Sequence, residues 1–408
     1  MKHRALVLAL CWLGCMSLLA QGSDSIVREI FRQKGYPFYT DNEVTLLPTG
    51  RAKYDDLFGS VRSAQRFIHM DYFKFQQDSI CRALFALLAH KAQQGVEVRV
   101  VYDSFGNRFS DLPLTAPYLD SLRASGMHIE EFDRVRFPWI NHLRHRNHHK
   151  IAVIDGEMAY TGGMNVADYY LHGKPCVGEW RDMHMKVRGP MVNGYERVFE
   201  DMWYRATKER LDSTLYACAP LHAGGCAMAM VERVPKHSAK AIRETYRIAI
   251  DHADRLIQII NPYPTLIKSI RKSLEHALAR GVRVQIMAST KSDGPVTPDV
   301  VGQEMRKLML KGAEVYYYDG GFHHSKVMMV DGLFCTVGTA NLDARSLRFD
   351  YEVNAFIFDR QITAQLQGIF YRDVMDHCTL LTPDNWKYRF PLKRRVSGRV
   401  FQSIKPFL

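Results

Sequence analysis

Two histidines, each followed two residues later by a lysine, open stretches that match in register. The first runs His148-His149-Lys150-Ile151-Ala152-Val153-Ile154-Asp155 and reaches Gly162-Gly163-Met164-Asn165. The second runs His324-Ser325-Lys326-Val327-Met328-Met329-Val330-Asp331 and reaches Gly338-Thr339-Ala340-Asn341. Both read H-x-K-x4-D-x6-G-x-x-N, and the His-to-His and Asn-to-Asn offsets agree, 324 − 148 = 341 − 165 = 176. Imidazole, ammonium and carboxamide together suit phosphoryl transfer. A phosphodiester is already anionic and resists attack, so its site needs concentrated positive charge and a nucleophile usable at neutral pH. Neutral imidazole, with an unperturbed pKa of about 6.5, fits that need. One copy is half of such a site. Two copies face to face would supply a nucleophilic His, a second His as acid, and two Lys with two Asn around the phosphate.

The elements that must hold these groups follow from the pattern around them. Ile151-Ala152-Val153-Ile154 and Val327-Met328-Met329-Val330 are short apolar runs typical of buried strands. Side chains alternate faces along a strand, so His148 and Lys150 project to one side, as do His324 and Lys326. Upstream, the first half reads as a helix around Lys53 to Gln65 and a strand from Arg66 to Phe73. An amphipathic helix from Asp78 to Gln94 follows, ended by Gly95, and then a strand from Val96 to Val101. The second half repeats that order. It has a helix from Ala239 to Asp254, a strand from Leu256 to Ile260 and a helix from Leu266 to Arg280. A strand from Val282 to Met287 and a helix from Asp299 to Lys311 complete it. The duplicated unit is therefore a whole α/β domain with a mixed sheet flanked by helices, and the two copies are expected to be related by a pseudo-twofold axis. The units are placed at residues 40–216 and 238–380. The Ala-, Gly- and Pro-rich stretch 217–237 joins them, and 381–408 is left as a basic, aromatic tail.

The duplicated motif resembles the signature of the phospholipase D superfamily, and its surroundings are similar to those of bacterial cardiolipin synthases. The second copy continues through Leu342-Asp343-Ala344-Arg345-Ser346 to Phe349-Asp350-Tyr351-Glu352-Val353-Asn354. The first is followed by Glu179-Trp180-Arg181-Asp182-Met183-His184 and Val187-Arg188-Gly189-Pro190. The resemblance covers roughly residues 40 to 380 and implies a metal-independent phosphatidyltransferase without cofactor. It would join two phosphatidylglycerols into cardiolipin, releasing glycerol, through a phosphohistidine. His148 would attack phosphorus, and His324 would protonate the leaving oxygen and then deprotonate the incoming hydroxyl. Lys150 and Lys326 would bind phosphate oxygens, with Asn165, Asn341 and the Thr339 hydroxyl as hydrogen-bond donors. Asp155 and Asp331 complete the motif, and anchoring of the strand turns suits them better than substrate contact. Asp182 and Glu352 are candidates to orient the imidazoles. Glu352 follows Asn341 by 352 − 341 = 11 residues, whereas Asp182 follows Asn165 by 182 − 165 = 17, so the first half departs from the second. Pro262-Tyr263 and Lys291-Ser292-Asp293 look like substrate loops of those synthases. The alternative reading is a secreted or periplasmic phospholipase D or nuclease with water as acceptor. A lipid-binding protein with a dead site would have lost one of the motif histidines.

With 47% hydrophobic and 24% charged residues, the 408-residue chain has an ordinary globular composition, and its formal charge of +12 suits anionic partners. Anionic phospholipid and a membrane surface are the expected partners, and nucleic acid is not. Lys2-His3-Arg4 before the apolar stretch Ala5 to Ala20 reads as a signal peptide or short anchor over residues 1–22, with the body outside the cytoplasm. The synthases usually carry two N-terminal spans instead. Cys218 and Cys226 either pair or remain free thiols. His142, His145, His149 and His323 have Arg and Asn neighbours and read as basic loop residues at the site mouth, not as metal ligands. In the tail, Trp386, Tyr388, Phe390, Phe401 and Phe407 interleave with seven Lys and Arg, which suits contact with anionic lipid or a strap on the body.

Overall fold

The computed structural model describes residues 22–136, 138, 143–217 and 222–403. The leader, His142, Cys218 and the last five residues of the tail lie outside the described residues.

The first half contributes β1 (Phe38–Leu47), β2 (Phe67–Tyr72), β3 (Glu97–Asp103), β4 (His128–Phe132), β5 (Lys150–Ile154), β6 (Met158–Gly162), β7 (Glu179–Arg181) and β8 (His184–Arg188). The second contributes β9 (Cys226–Arg233), β10 (Leu256–Ile260), β11 (Arg283–Ser289), β12 (Glu314–Tyr318), β13 (Gly321–His323), β14 (Val327–Val330), β15 (Phe334–Gly338), β16 (Glu352–Phe358) and β17 (Cys378–Leu380). The strand orders β1-β8-β6-β5-β2-β3-β4 and β9-β16-β15-β14-β10-β11-β12 match one for one. In each half the first three α/β strands run parallel, β2 with β3 and β4, and β10 with β11 and β12. The motif strands β5 and β14 join antiparallel beside them.

The two halves are not separate sheets. β1 pairs antiparallel with β9, setting Phe38 opposite Ala229 and Asn42 opposite Cys226, and this makes one 15-stranded sheet. β9 lies inside the stretch read from sequence as linker. Its run Cys226-Ala227-Met228-Ala229-Met230-Val231 is small and apolar without period-two alternation, because helices cover both faces there. The core is shared as well. One apolar cluster takes Ile151, Val153 and Met185 from the first half with Met228, Met329 and Val337 from the second.

Local signals explain the flanking helices. Thr49 caps the helix Gly50–Ser63 by accepting from the Ala52 amide, and Asp78 caps Ser79–Gln93 by accepting from Cys81. An unpredicted helix, Ser23–Gln33, precedes β1 and buries Val27 and Phe31 in the second half's core. The tail also differs from its expectation. It forms the helices Pro383–Arg389 and Leu392–Val400, and Trp386 and Phe390, one turn apart, are buried in the second half's core. Among the described residues no helix is long and apolar enough to cross a membrane.

Candidate active site

Each motif histidine sits at the mouth of a buried strand, β5 or β14, and each is docked to the other half. The His148 amide donates to the Tyr351 carbonyl at 3.0 Å, and the His324 amide donates to the Arg181 carbonyl at 2.6 Å. These carbonyls belong to the residues just before Glu352 and Asp182. The two contacts are equivalent under the pseudo-twofold: Asn147 bridges Tyr351, and β13 pairs with β7 so that His323 faces Arg181. The carboxylates are thereby exchanged. His148 Nδ1 lies 2.9 Å from Glu352 Oε1, and His324 Nδ1 lies 2.7 Å from Asp182 Oδ2. A carboxylate on Nδ1 favours the tautomer with its proton there and leaves the lone pair on Nε2.

Strand register makes Asp182 and Glu352 counterparts despite their unequal spacing. Gly162 pairs with His184, and Gly338 pairs with Asn354, so both acids stand two residues before the paired position. The extra six residues, 17 − 11, fall in the first half's longer approach to β7. Gly163 is needed for the same reason, since a Cβ there would come within 2.1 Å of Asp182 Oδ1. Its counterpart Thr339 does something else. The Thr339 hydroxyl donates to Glu352 Oε2 at 2.5 Å and accepts from the Val353 amide, so it holds the carboxylate and is not available as a phosphate donor.

The lysines face inward with their imidazoles. Lys150 Nζ donates to the His148 carbonyl at 2.8 Å, and Lys326 Nζ lies 3.1 Å from His324 Nε2. Burial strips water from all four groups and disfavours their charged forms. It brings His148 down to about 4, Lys150 to about 7 and Lys326 to about 8, and it lowers His324, with Lys326 adding to the effect. Burial opposes the charge of Glu352 too, but His148 and then Lys150 outweigh it and hold that carboxyl at about 2. Asn165 and Asn341 are buried with side-chain oxygens that have no protein partner, so each carboxamide keeps hydrogen-bonding capacity inside the site.

Asp155 and Asp331 do not reach this centre. Both have positive φ, 54° and 56°, in Asp-Gly turns after β5 and β14. The Asp155 carboxylate accepts from the amides of Gln65, Arg66 and Phe67, and Asp331 from those of Asp254, Arg255 and Leu256. They tie the turn to the start of the neighbouring strand, the anchoring role expected of them, and so belong to the motif but not to the catalytic set. Two of the flanking histidines also move. His149 is buried with Nδ1 2.9 Å from Asp71, and His323 is buried with Nε2 3.2 Å from Asp373, so both are core hydrogen-bond partners of buried carboxylates. His145, by contrast, is only partly covered and contacts the Phe349 carbonyl.

A cavity of about 450 Å³ opens beside His148, lined among others by Phe73, Tyr263, Asp293, Asn341, Asp343 and Asp350. Both suspected substrate loops reach it, and the Tyr263 hydroxyl donates to Asp293. Burial raises Asp343 and Asp350 to about 7. Sequence reasoning missed Lys53, which is fully buried and donates to the carbonyls of Met164 and Asn165, fixing the backbone of a site residue. A signal was present, because Lys53 falls on the same helical stripe as Tyr54, Leu57 and Val61. Trp180 packs beside the second motif histidine, its ring 5.5 Å from that of His324.

Comparison with known proteins agrees with this construction. A family model described as "Cardiolipin synthase, PLD-like domain" matches residues 57–203 and 246–374, one match in each half. A cardiolipin synthase of Geobacillus kaustophilus is 31% identical over 386 residues, covering 94% of this chain and 76% of that protein. One of Staphylococcus aureus is 35% identical over 338 residues, covering 82% of this chain and 68% of that one. The crystal structure of phosphatidylserine synthase from Haemophilus influenzae superposes with a TM-score of 0.71 at 14% identity, over 94% of this chain and all of that one, which shows a common fold. The chain therefore belongs to the cardiolipin synthase family of phospholipase D-like enzymes.

Proposed function

We propose that the protein is a phosphatidyltransferase that joins two phosphatidylglycerols into cardiolipin and releases glycerol. The observation that carries this reading is the exchange of carboxylates: two imidazoles from opposite halves are each backed by the other half's acid. His148 lines the cavity, and His324 stands behind its Tyr263 wall, ring to ring at 5.9 Å. His148 Nε2 attacks phosphorus as the bond to the headgroup glycerol oxygen breaks, and His324 Nε2–H gives its proton to that oxygen. The terminal hydroxyl of a second phosphatidylglycerol then returns a proton to His324 and attacks phosphorus, freeing His148. The depressed pKa of His324 is compatible with its acid role, since an anionic phosphodiester in the cavity draws a proton back onto the imidazole. Lys150, Lys326 and the side-chain N–H groups of Asn165 and Asn341 donate to the non-bridging oxygens. The carboxyl-lined wall of Asp293, Asp343 and Asp350 suits the hydroxyls of a glycerol headgroup. Ala5–Ala20 behind its basic flank supports a body held at the outer side of a membrane.

The test is purified protein with phosphatidylglycerol vesicles in buffer containing EDTA, following lipids and glycerol over time. The reading expects cardiolipin and glycerol in equal amounts. Phosphatidate in place of cardiolipin would make water the acceptor, and no product at all would remove phosphatidylglycerol as the substrate.

A further inference from the structure

The burial of Trp386 and Phe390 takes two tail aromatics away from any lipid, yet the tail still presents an apolar surface. On the helix Leu392–Val400, Leu392, Val396 and Val400 are 67%, 50% and 60% exposed. At 3.6 residues per turn the three fall within an arc of about 80°, with Lys393 at one edge and Arg399 at the other. Both cations are exposed, and residues 385–403 contain no carboxylate. The opposite face of the helix is seated on the body. Gly398 is buried so closely that a Cβ would come 2.3 Å from the Asp299 carbonyl oxygen. Arg394 Nε donates to Asp299 Oδ1 at 2.6 Å, and Gln303 Nε2 donates to the Arg395 carbonyl at 3.1 Å. Asp299 and Gln303 belong to the helix Thr297–Met309, whose first residue lines the cavity beside His148.

We infer that the helix Leu392–Val400 lies in the plane of an anionic lipid surface, with its Leu-Val-Val stripe among the acyl chains and Lys393 and Arg399 on the headgroups. An apolar stripe flanked by cations on both sides, on a helix that carries no acid of its own and whose acidic contact, Asp299, is on the body-facing side, matches the charge and layering of that interface. The helix is braced by an element that begins at the cavity rim, so docking brings the cavity to the lipid. The inference rests on the reading of the substrate as a membrane phospholipid.

The test uses the full chain with Leu392→Trp and vesicles whose lipids carry brominated acyl chains, which quench indole emission only on contact. Quenching beyond that of the wild type is expected with phosphatidylglycerol vesicles and little with purely zwitterionic ones. Adding Lys393→Glu and Arg399→Glu should raise the lipid concentration for half-maximal quenching about tenfold or more. No added quenching at any lipid concentration overturns the inference, as does equal quenching by both vesicle types. The same signal measured with His148→Ala separates the two readings, because docking persists there when the chemistry is gone.

Discussion

At the scale of single residues, the chemistry depends on charge states that burial creates. In the free protein His148 is neutral above about pH 4, while Lys150 and Lys326 are cationic only below about 7 and 8. Protonation of His148 removes the nucleophile at low pH, and deprotonation of the lysines removes the phosphate anchors at high pH. The kcat/KM profile should therefore be a bell that falls below about pH 4 as His148 is protonated. On the alkaline side it falls first as His324, the acid, loses its proton below the ordinary imidazole range, and then further as the lysines titrate. Glu352→Gln should lower kcat by about 10- to 100-fold or more. It should also move the acid limb to still lower pH, because the lost carboxylate is what holds the His148 pKa up. An unmoved acid limb would reduce Glu352 to packing. The histidines, lysines and asparagines of this centre were readable from two in-register copies. The acid that serves each histidine was not, since that depends on how the halves dock. Thr339 was misread because its partner Glu352 is brought alongside only by strand pairing.

At the scale of elements, the same turn is built twice. Asp155 and Asp331 each gather three backbone amides, and Asp331 also accepts from Ser23 Oγ at 2.6 Å. Charge-assisted bonds to a buried carboxylate are worth more than neutral ones. Asp331→Asn should cost about 2–3 kcal/mol of stability in denaturant titration, with kcat nearly unchanged for the protein that remains folded. A large loss of kcat without loss of stability would return Asp331 to the chemistry. Helices and strands around the motifs were legible to within a few residues because their apolar periods and caps are strong. β9 was hidden by small residues that blur its pattern. In the tail, the i, i+4 spacing of Trp386 and Phe390 signalled a buried stripe, which the eye-catching basic residues obscured.

At the scale of the whole molecule, the duplication explains the architecture. Neither half holds a complete centre, because each imidazole lacks its carboxylate until the other half is in place. The β1–β9 ladder, the β7–β13 ladder and the Asn147–Tyr351 bridge fix that placement. The small asymmetries are where the halves divide labour. Gly163 makes room for Asp182, Thr339 braces Glu352, and the open cavity lies on the His148 side. The central claim is that one shared site transfers the phosphatidyl group through His148. Its most direct test is to quench the wild-type protein during turnover of phosphatidylglycerol, and to map the covalent adduct by peptide mass. The account predicts a phosphatidyl group on the peptide containing His148, absent from His148→Ala. An adduct on His324 in the wild type, or turnover by His148→Ala, would contradict it.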